Sequence, residues 1–386
     1  MPTAAPTFDV AIVGAGIAGC SLAYRLAPHL RVVLVEAEAQ PGHHSSGRSA
    51  AMFMESYGSP QGRALTRASR AFYEAPPEGF SATPLVLPRG VLYVGWAGDK
   101  GLLDDELARL AREGSRVERV TAAGALAQVP VLRAEGLLGA VAEPEAQEMD
   151  AHALLQGFLR GARRGGATFQ AGAPLAALEA EAGTWRLALV GGMELRASVV
   201  VNAAGAWADT VAAMAGLAPL GIEPRRRSAF TFMPPEGIDH RRWPLVAAID
   251  ESWYLKPDAG QLLGSPANAD PVSPHDVQAE ELDIALGIAG IEAHTSLRIR
   301  RPTRTWAGLR SFAPDGEMVI GEDPRAPGFW WLAGQGGWGL QSAAGASELA
   351  AARLLGRAVP EGLMRAGVDA DAVAPDRLLA RDRHGA

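Results

Sequence analysis

The stretch Phe8-Asp-Val-Ala-Ile-Val-Gly14-Ala-Gly16-Ile-Ala-Gly19, with Arg31-Val-Val-Leu-Val-Glu36 after it, decides the fold of this chain. Residues 8–13 are an apolar, β-branched run of the kind that forms a buried parallel strand. Residues 18–30 read as a helix and residues 31–36 as a second buried strand. Strand, glycine turn, helix and strand within about thirty residues make one βαβ unit. In such a unit Gly14 permits the tight turn, Gly16 lets the backbone approach a pyrophosphate, and Gly19 lets the helix pack closely on the strand. The helix N-terminus, at Ile17 and Ala18, offers unpaired N–H groups and a partial positive charge to phosphates. Glu36 ends the second strand, next to Ala37, about twenty residues on, where an acid holds a ribose hydroxyl pair. The same acid argues against a 2′-phosphate.

Working outward, 386 residues are too many for one ordinary core and imply two lobes. Hydrophobic residues make up 48% and charged residues 20%, as in a globular protein. A net charge of −7 argues against a nucleic-acid binder, which would show a basic face. Arg225–Arg226–Arg227 is a local basic patch. One cysteine, Cys20, excludes an internal disulfide and a cysteine-based metal site. No secretory signal is read at the N-terminus, and no stretch reaches the ~18 apolar residues of a membrane span. A cytoplasmic location is expected, with peripheral membrane association left open.

Along the chain, residues 102–127 read as an amphipathic helix and its approach, with Leu103, Leu107 and Leu110 at helical spacing. Residues 149–164 form another helix, opened by Asp150 as N-cap. Residues 198–202 are a short buried strand that runs into Ala203-Ala-Gly-Ala-Trp207. Between 217 and 305 the chain is richer in proline and alternation, with strand-like pieces at 230–232, 245–249 and 252–255. Residues 330–333 are a last apolar strand, leading into Gly334-Gln-Gly336-Gly337-Trp-Gly339 and a helix over 340–355. The tail after Pro360 reads as loosely ordered. The expected architecture is α/β with two lobes: a Rossmann-like FAD-binding lobe from 1–80, 145–216 and 306–386, and an inserted, mainly antiparallel β-sheet lobe for substrate from 81–144 and 217–305. The second glycine cluster favours FAD over NAD, because such a loop brings N–H groups and a helix N-terminus to the electron-rich edge of a reduced isoalloxazine.

The run Gly42-His-His44-Ser-Ser46-Gly47-Arg48-Ser49-Ala-Ala51 resembles the flavin-contacting segment of the D-amino-acid oxidase superfamily. Ala203–Trp207, Gly308-Leu-Arg310 and Gly334–Gly339 match its other signatures in order. Within that superfamily the chain resembles bacterial FAD-dependent D-arginine dehydrogenases, including the runs at 226–230, 254–259 and 262–271. The resemblance implies non-covalent FAD held by His44, Ser45, Ser46, Gly47, Arg48, Ser49, Ala50 and Ala51, by Leu175, Ala204, Gly205, Trp207 and Gly308, and by Gly334, Gly336, Gly337, Trp338, Gly339, Leu340 and Gln341. It also implies hydride transfer from the Cα of a D-amino acid to flavin N5, giving an imino acid and then a 2-oxo acid and ammonia. Arg227 and Arg310 become the carboxylate clamp, since a planar guanidinium grips a carboxylate with two hydrogen bonds. Tyr57 and Tyr254 flank the substrate. Gly337 and Gln341 lie near the amine and flavin, with the Gly337 carbonyl accepting from the amine.

Three positions depart from the dehydrogenase pattern. Val91 stands where a glutamate reads a cationic side chain, and Met52 and Met54 stand where a histidine and a threonine lie near the flavin and amine. The pocket is therefore expected to prefer uncharged, apolar D-amino acids, unless Glu55 or Arg89 reaches it. Eight scattered histidines give no metal-ligand spacing, so no metal is expected. The electron acceptor is a quinone, another carrier or oxygen. Three other readings stay open: a secondary-amine or glycine oxidase, a 2-hydroxyacid dehydrogenase, and a non-catalytic FAD-binding protein.

Overall fold

The computed structural model describes residues 5–379. Its first sheet has eight strands, built around the opening βαβ unit. Strand Thr7–Val13 lies between Val32–Val35 and Glu194–Asn202, both parallel to it. Thr168–Gln170 and Phe329–Ala333 extend the parallel set on either side. Every residue of Val32–Val35 is buried, as expected of a strand covered on both faces. Helix Ile17–Leu26 packs on one face with Ala151–Arg164 and Gly339–Leu354. Asp150 caps the Ala151 helix as expected, its carboxylate accepting from the Ala153 N–H at 2.8 Å.

The second sheet has nine strands and is mostly antiparallel. Its longest ladder pairs Glu223–Phe232 with Arg304–Phe312. From there the order runs through Gln261–Ser265, Tyr254–Asp258, Leu245–Ala248, Val91–Gly95 and Gly139–Glu143 to Glu118–Thr121. Strand Arg304–Phe312 crosses the 305/306 boundary expected between lobes and lies whole in this sheet. A small third sheet joins Met52–Phe53, Gln147–Met149 and Val86–Pro88. The architecture is thus a Rossmann-like lobe beside a lobe built on a mainly antiparallel sheet.

Local boundaries differ from the sequence reading in three places. The glycine helix ends at Leu26, four residues early, in a turn that leads directly into the next strand. Residues 102–127 are not one helix. Lys100–Arg112 stops at Gly114, whose φ of +79° is left-handed, and a strand and a short helix, Ala122–Gln128, follow. The tail carries short helices at Glu361–Arg365 and Asp376–Leu379, with Leu363 and Leu378 buried; residues 380–386 lie outside the described chain.

The glycine motif is sterically enforced. Gly14 has φ +104°, and a Cβ there would meet the Ala203 carbonyl oxygen at 2.5 Å. A Cβ on Gly19 would lie 1.9 Å from the Gly14 oxygen, so the helix approaches the turn as closely as it does only because both are glycine. Cys20, next in the helix, is fully buried, and its thiol donates to the Ala15 carbonyl at 3.4 Å.

Candidate active site

A cavity of about 420 Å³ opens between the lobes, within the size range of a cofactor site. One end is lined by Gly14, Gly16, Ile17, Ala18, Glu36 and Ala37 at the C-terminal edge of the parallel strands. This is where doubly wound sheets bind ligands. The Glu36 carboxylate accepts from the Ala15 N–H at 2.6 Å and the Glu38 N–H at 2.9 Å, which fixes it at the rim. Ser46 accepts from the Ile17 N–H at 2.9 Å, tying the 42–51 run to the helix N-terminus. His44, Ser45, Arg48, Ser49 and Ala50 line the middle, facing Leu175, Ala204, Gly205 and Trp207. The far end is lined by Arg227, Tyr254, Gly308, Arg310, Gly336, Gly337, Gly339 and Leu340.

Strand register explains how the two arginines meet. In the ladder Arg225 faces Arg310 and Arg227 faces Gly308. Residues two apart share a face, so Arg227 and Arg310 are diagonal neighbours on one side of the sheet. Arg225 shares that side but lies over the Phe312 ring, and Arg226 turns the other way to pair with Asp283 and Glu280. Burial and the nearby Arg310 push the Arg227 guanidinium down to about 10, so it stays charged at neutral pH. Its Nε donates to the Asn268 carbonyl. Arg310 donates through Nη1 to the Tyr57 hydroxyl at 2.9 Å. Gly337 closes this corner: a Cβ there would lie 2.6 Å from the Tyr57 oxygen and 2.8 Å from Arg310 Nη1.

Met52, Met54 and Val91 come together. With Leu245 and Ala146 they form one buried apolar cluster, against which Tyr57, Tyr93, Ala247 and Tyr254 pack. Sheet pairing sets Val91 beside Leu245 on one side and Glu143 on the other. The two groups expected as possible pocket charges point elsewhere. Glu55 is bound by Arg70 at 2.6 Å, and Arg89 makes two hydrogen bonds to Glu148 and donates to the Arg241 and Trp243 carbonyls.

Six expected cofactor contacts do not line the cavity. Gly19 and Gly47 pack against the carbonyls of Gly14 and Gly42 beneath it, and the Ala51 N–H turns back to Ser49 Oγ. Gly334 lies against Ala313 and the Glu317 carbonyl, and Trp338 is buried against Tyr57 and Phe312. Gln341 is 2% exposed, and its amide is committed within the protein. Its Nε2 donates to the carbonyls of Met54 and Tyr57 and to Thr66 Oγ1, and its Oε1 accepts from the Met54 N–H. It fastens the Met54–Tyr57 segment instead of facing substrate.

Glu38, Pro174, Thr210, Met214 and Ser311 also line the cavity and lie outside the motifs singled out in the sequence. Thr210 and Met214 follow Trp207 at helical spacing, a signal available in the sequence. The others depend on long-range packing. Although no metal cluster was expected, Glu38, His43 and His44 bring ligand atoms within 4.8 Å of one another. His44 Nε2 and Glu38 Oε1 are hydrogen-bond partners at 2.9 Å, and the Arg48 guanidinium lies 3.4 Å from His43 Nε2 and pairs with Asp276.

The comparisons agree with this geometry. The family model for DAO, FAD dependent oxidoreductase, matches residues 9–353. The chain is 25% identical to FAD-dependent oxidoreductase domain-containing protein 1 of Mus musculus over 401 residues, covering 92% of this chain and 80% of that one. It is 28% identical over 296 residues to D-amino acid dehydrogenase of Cereibacter sphaeroides, covering 72% of this chain and 63% of that one. Glycine oxidase from Geobacillus kaustophilus superposes with a TM-score of 0.80 at 22% identity, covering 92% and 96% of the two chains. A glycine-cradled cavity of cofactor size, an acid at its ribose end and the match over nearly the whole chain lead to one conclusion: this protein belongs to the DAO family of FAD-dependent oxidoreductases.

Proposed function

We propose that the chain oxidises the Cα–N bond of D-amino acids with apolar side chains, yielding the imino acid and then, by hydrolysis, a 2-oxo acid and ammonia. The carrying observation is that Arg227, Arg310 and Tyr254 line one end of the cavity, with Tyr57 hydrogen-bonded to Arg310 and an apolar cluster packed against both tyrosines. Bound FAD supplies the acceptor for the two electrons and the Cα hydrogen, at N5 of its ring. The residues that fit it are the α-helix N-terminus at Gly16–Ala18, Glu36 at the ribose end, the 44–50 run and the Gly336–Leu340 turn.

The chain's own part is positioning. Arg227 and Arg310 grip the substrate carboxylate, and Tyr57 and Tyr254 complete the hydrogen bonding. A pose fixed in this way replaces much of the entropic cost of reaching the transition state. The Gly337 carbonyl accepts from the amine. Met52, Met54, Val91, Leu245 and Ala247 receive the side chain and exclude water. Glu55, held by Arg70, and Glu143, held by backbone N–H groups, are committed within the protein, and Glu251 acts electrostatically on the clamp arginines Arg227 and Arg310. An unpaired guanidinium taken out of water costs several kcal/mol, so apolar substrates are favoured. The D-configuration rests on the resemblance and on the Cereibacter sphaeroides relative.

The test is anaerobic bleaching of the flavin by a panel of D- and L-amino acids, N-methylglycine and 2-hydroxy acids. D-Leucine and D-methionine are expected to bleach fastest, with kcat/KM rising along alanine, 2-aminobutyrate and norvaline at ~0.8 kcal/mol per buried methylene. Equal rates for D- and L-alanine would overturn the stereochemical reading. A D-arginine kcat/KM about tenfold or more above D-leucine, ~1.4 kcal/mol, would overturn the apolar one. Preference for N-methylglycine would establish secondary-amine oxidation instead. Peroxide yield per turnover separates oxygen from a quinone or other carrier as acceptor.

A further inference from the structure

Helix Glu281–His294 lies across the second sheet, away from the cavity. Its inner face is defined by close contacts: Gly287 against Phe230, Gly290 against Trp253, and Ile291 against Gly264. A helix covering a sheet normally turns polar residues outward. Here the outward residues are Leu282, 67% exposed, Ala285, Leu286, 57% exposed, Ala289 and Ala293. The outer face is apolar over three turns, with Glu281 at its start.

An independent feature borders this face. The Glu292 carboxylate accepts from the Ile299 N–H at 2.6 Å, so the chain after the helix doubles back beside it. In that return segment Leu297 and Ile299 are buried while Arg298, Arg300 and Arg301 are exposed. Arg133 donates to the Glu292 carbonyl from the other side. Among the described residues none of these four arginines has a carboxylate within ion-pair distance, and all four gather at one end of the helix. A helix C-terminus attracts a cation or two. It explains neither four unpaired arginines in a chain of net charge −7 nor the exposed leucines.

We propose that this face docks on an anionic lipid bilayer, with Leu282 and Leu286 entering the headgroup boundary and the arginines meeting lipid phosphates. An interfacial helix needs this pairing of an apolar face with basic residues. A second copy of the chain would cover the leucines without needing the arginines. Nucleic acid would use the arginines and leave the leucines in water. Docking here would leave the cavity free and bring the flavoprotein to a surface where lipid-soluble electron acceptors reside.

The test is co-sedimentation of the FAD-loaded full chain with phosphatidylcholine vesicles, with and without phosphatidylglycerol. Sedimentation is expected with the anionic vesicles only, and high salt should release the protein. Leu282→Glu with Leu286→Glu, and separately Arg300→Glu with Arg301→Glu, should each weaken partitioning by at least about tenfold. The flavin spectrum and turnover with a soluble dye should be unchanged. Failure to bind, equal binding to neutral vesicles, or unaltered binding by both variants would overturn the proposal. So would a concentration-dependent dimer lost on the leucine substitutions, or retention on duplex DNA in place of vesicles.

Discussion

Gly337 shows how little freedom the clamp has. Alanine there would place a methyl within 3 Å of both Tyr57 and Arg310. Gly337→Ala should therefore displace that hydrogen-bonded pair and lower kcat/KM by about 10- to 150-fold, the equivalent of ~1.5–3 kcal/mol for a charged hydrogen bond, with flavin content retained. Arg310→Lys and Arg227→Lys should fall in the same range, because lysine keeps the charge and loses the two-pronged geometry; an unchanged kcat/KM in both would remove the clamp assignment. Glu143 is a residue the sequence reading never raised. It is 2% exposed and accepts from the Glu55 and Ser56 N–H groups at 2.7 and 3.0 Å, immediately before Tyr57. Burial, only partly offset by these hydrogen bonds, raises its carboxyl above the ordinary 4.5. A raised acid contributes stability that is present below the unfolded value and lost as pH rises through the folded one. The difference in Tm between the wild type and Glu143→Gln should thus shift in favour of the glutamine variant as pH rises from 4.5 toward neutrality. A flat difference would show that burial does not penalise this carboxylate. Glu143 also bears on Val91→Glu, the substitution that would restore an acid at the position where the related dehydrogenases carry one. The two positions are direct partners across the sheet, so the substitution sets like charges side by side and should destabilise the lobe. Val91 was legible through its place in a matching motif; Glu143 was not, because cross-strand register cannot be read from a lone strand.

At the scale of elements, the legible pieces were those whose local chemistry agreed with their tertiary setting. The Asp150 cap, the Val32–Val35 strand and the helix after Gly339 follow from spacing and end signals alone. The 102–127 region misled because Leu103, Leu107 and Leu110 set up a helical period that Gly114 ends, and the strand that follows is held by pairing with Gly139–Glu143. Helix Pro60–Glu74 went unread, although Ser59-Pro60 is a clear start: Ser59 Oγ accepts from the Gly62 N–H at 3.1 Å and donates to Glu317 at 2.6 Å. The helix packs on Gly339–Leu354 through Ser69 to the Gly345 N–H and Tyr73 to the Leu340 carbonyl. Ser59→Ala should therefore cost ~1 kcal/mol through the lost cap alone, and more where the Glu317 contact matters. Thermal unfolding of the FAD-loaded protein measures it, and an unchanged Tm would mean that Pro60 and packing suffice.

The whole molecule is joined through the cofactor run. Arg48 donates to the Val277 and Ala307 carbonyls at 2.9 and 3.1 Å and pairs with Asp276, while Ser45 donates to the Leu309 carbonyl. These bonds cross from the Rossmann-like lobe to the second sheet. Arg48→Ala should weaken FAD retention more than it alters the turnover of protein that still holds flavin; equal losses in both would place Arg48 in the substrate's path. The order of motifs made a discontinuous lobe legible, but these ties join residues some 230 to 265 positions apart and leave no local trace. Cys20 has a practical corollary on the same scale. It is the chain's single thiol, fully enclosed in the helix whose first turn faces the cavity, and burial pushes its ionisation well up. Thiolate is the reactive form, so a disulfide reagent should be excluded until that helix lifts away. Its labelling is then a one-count stopwatch for breathing of the nucleotide cradle, and saturating FAD should slow the watch in proportion to how tightly it is held.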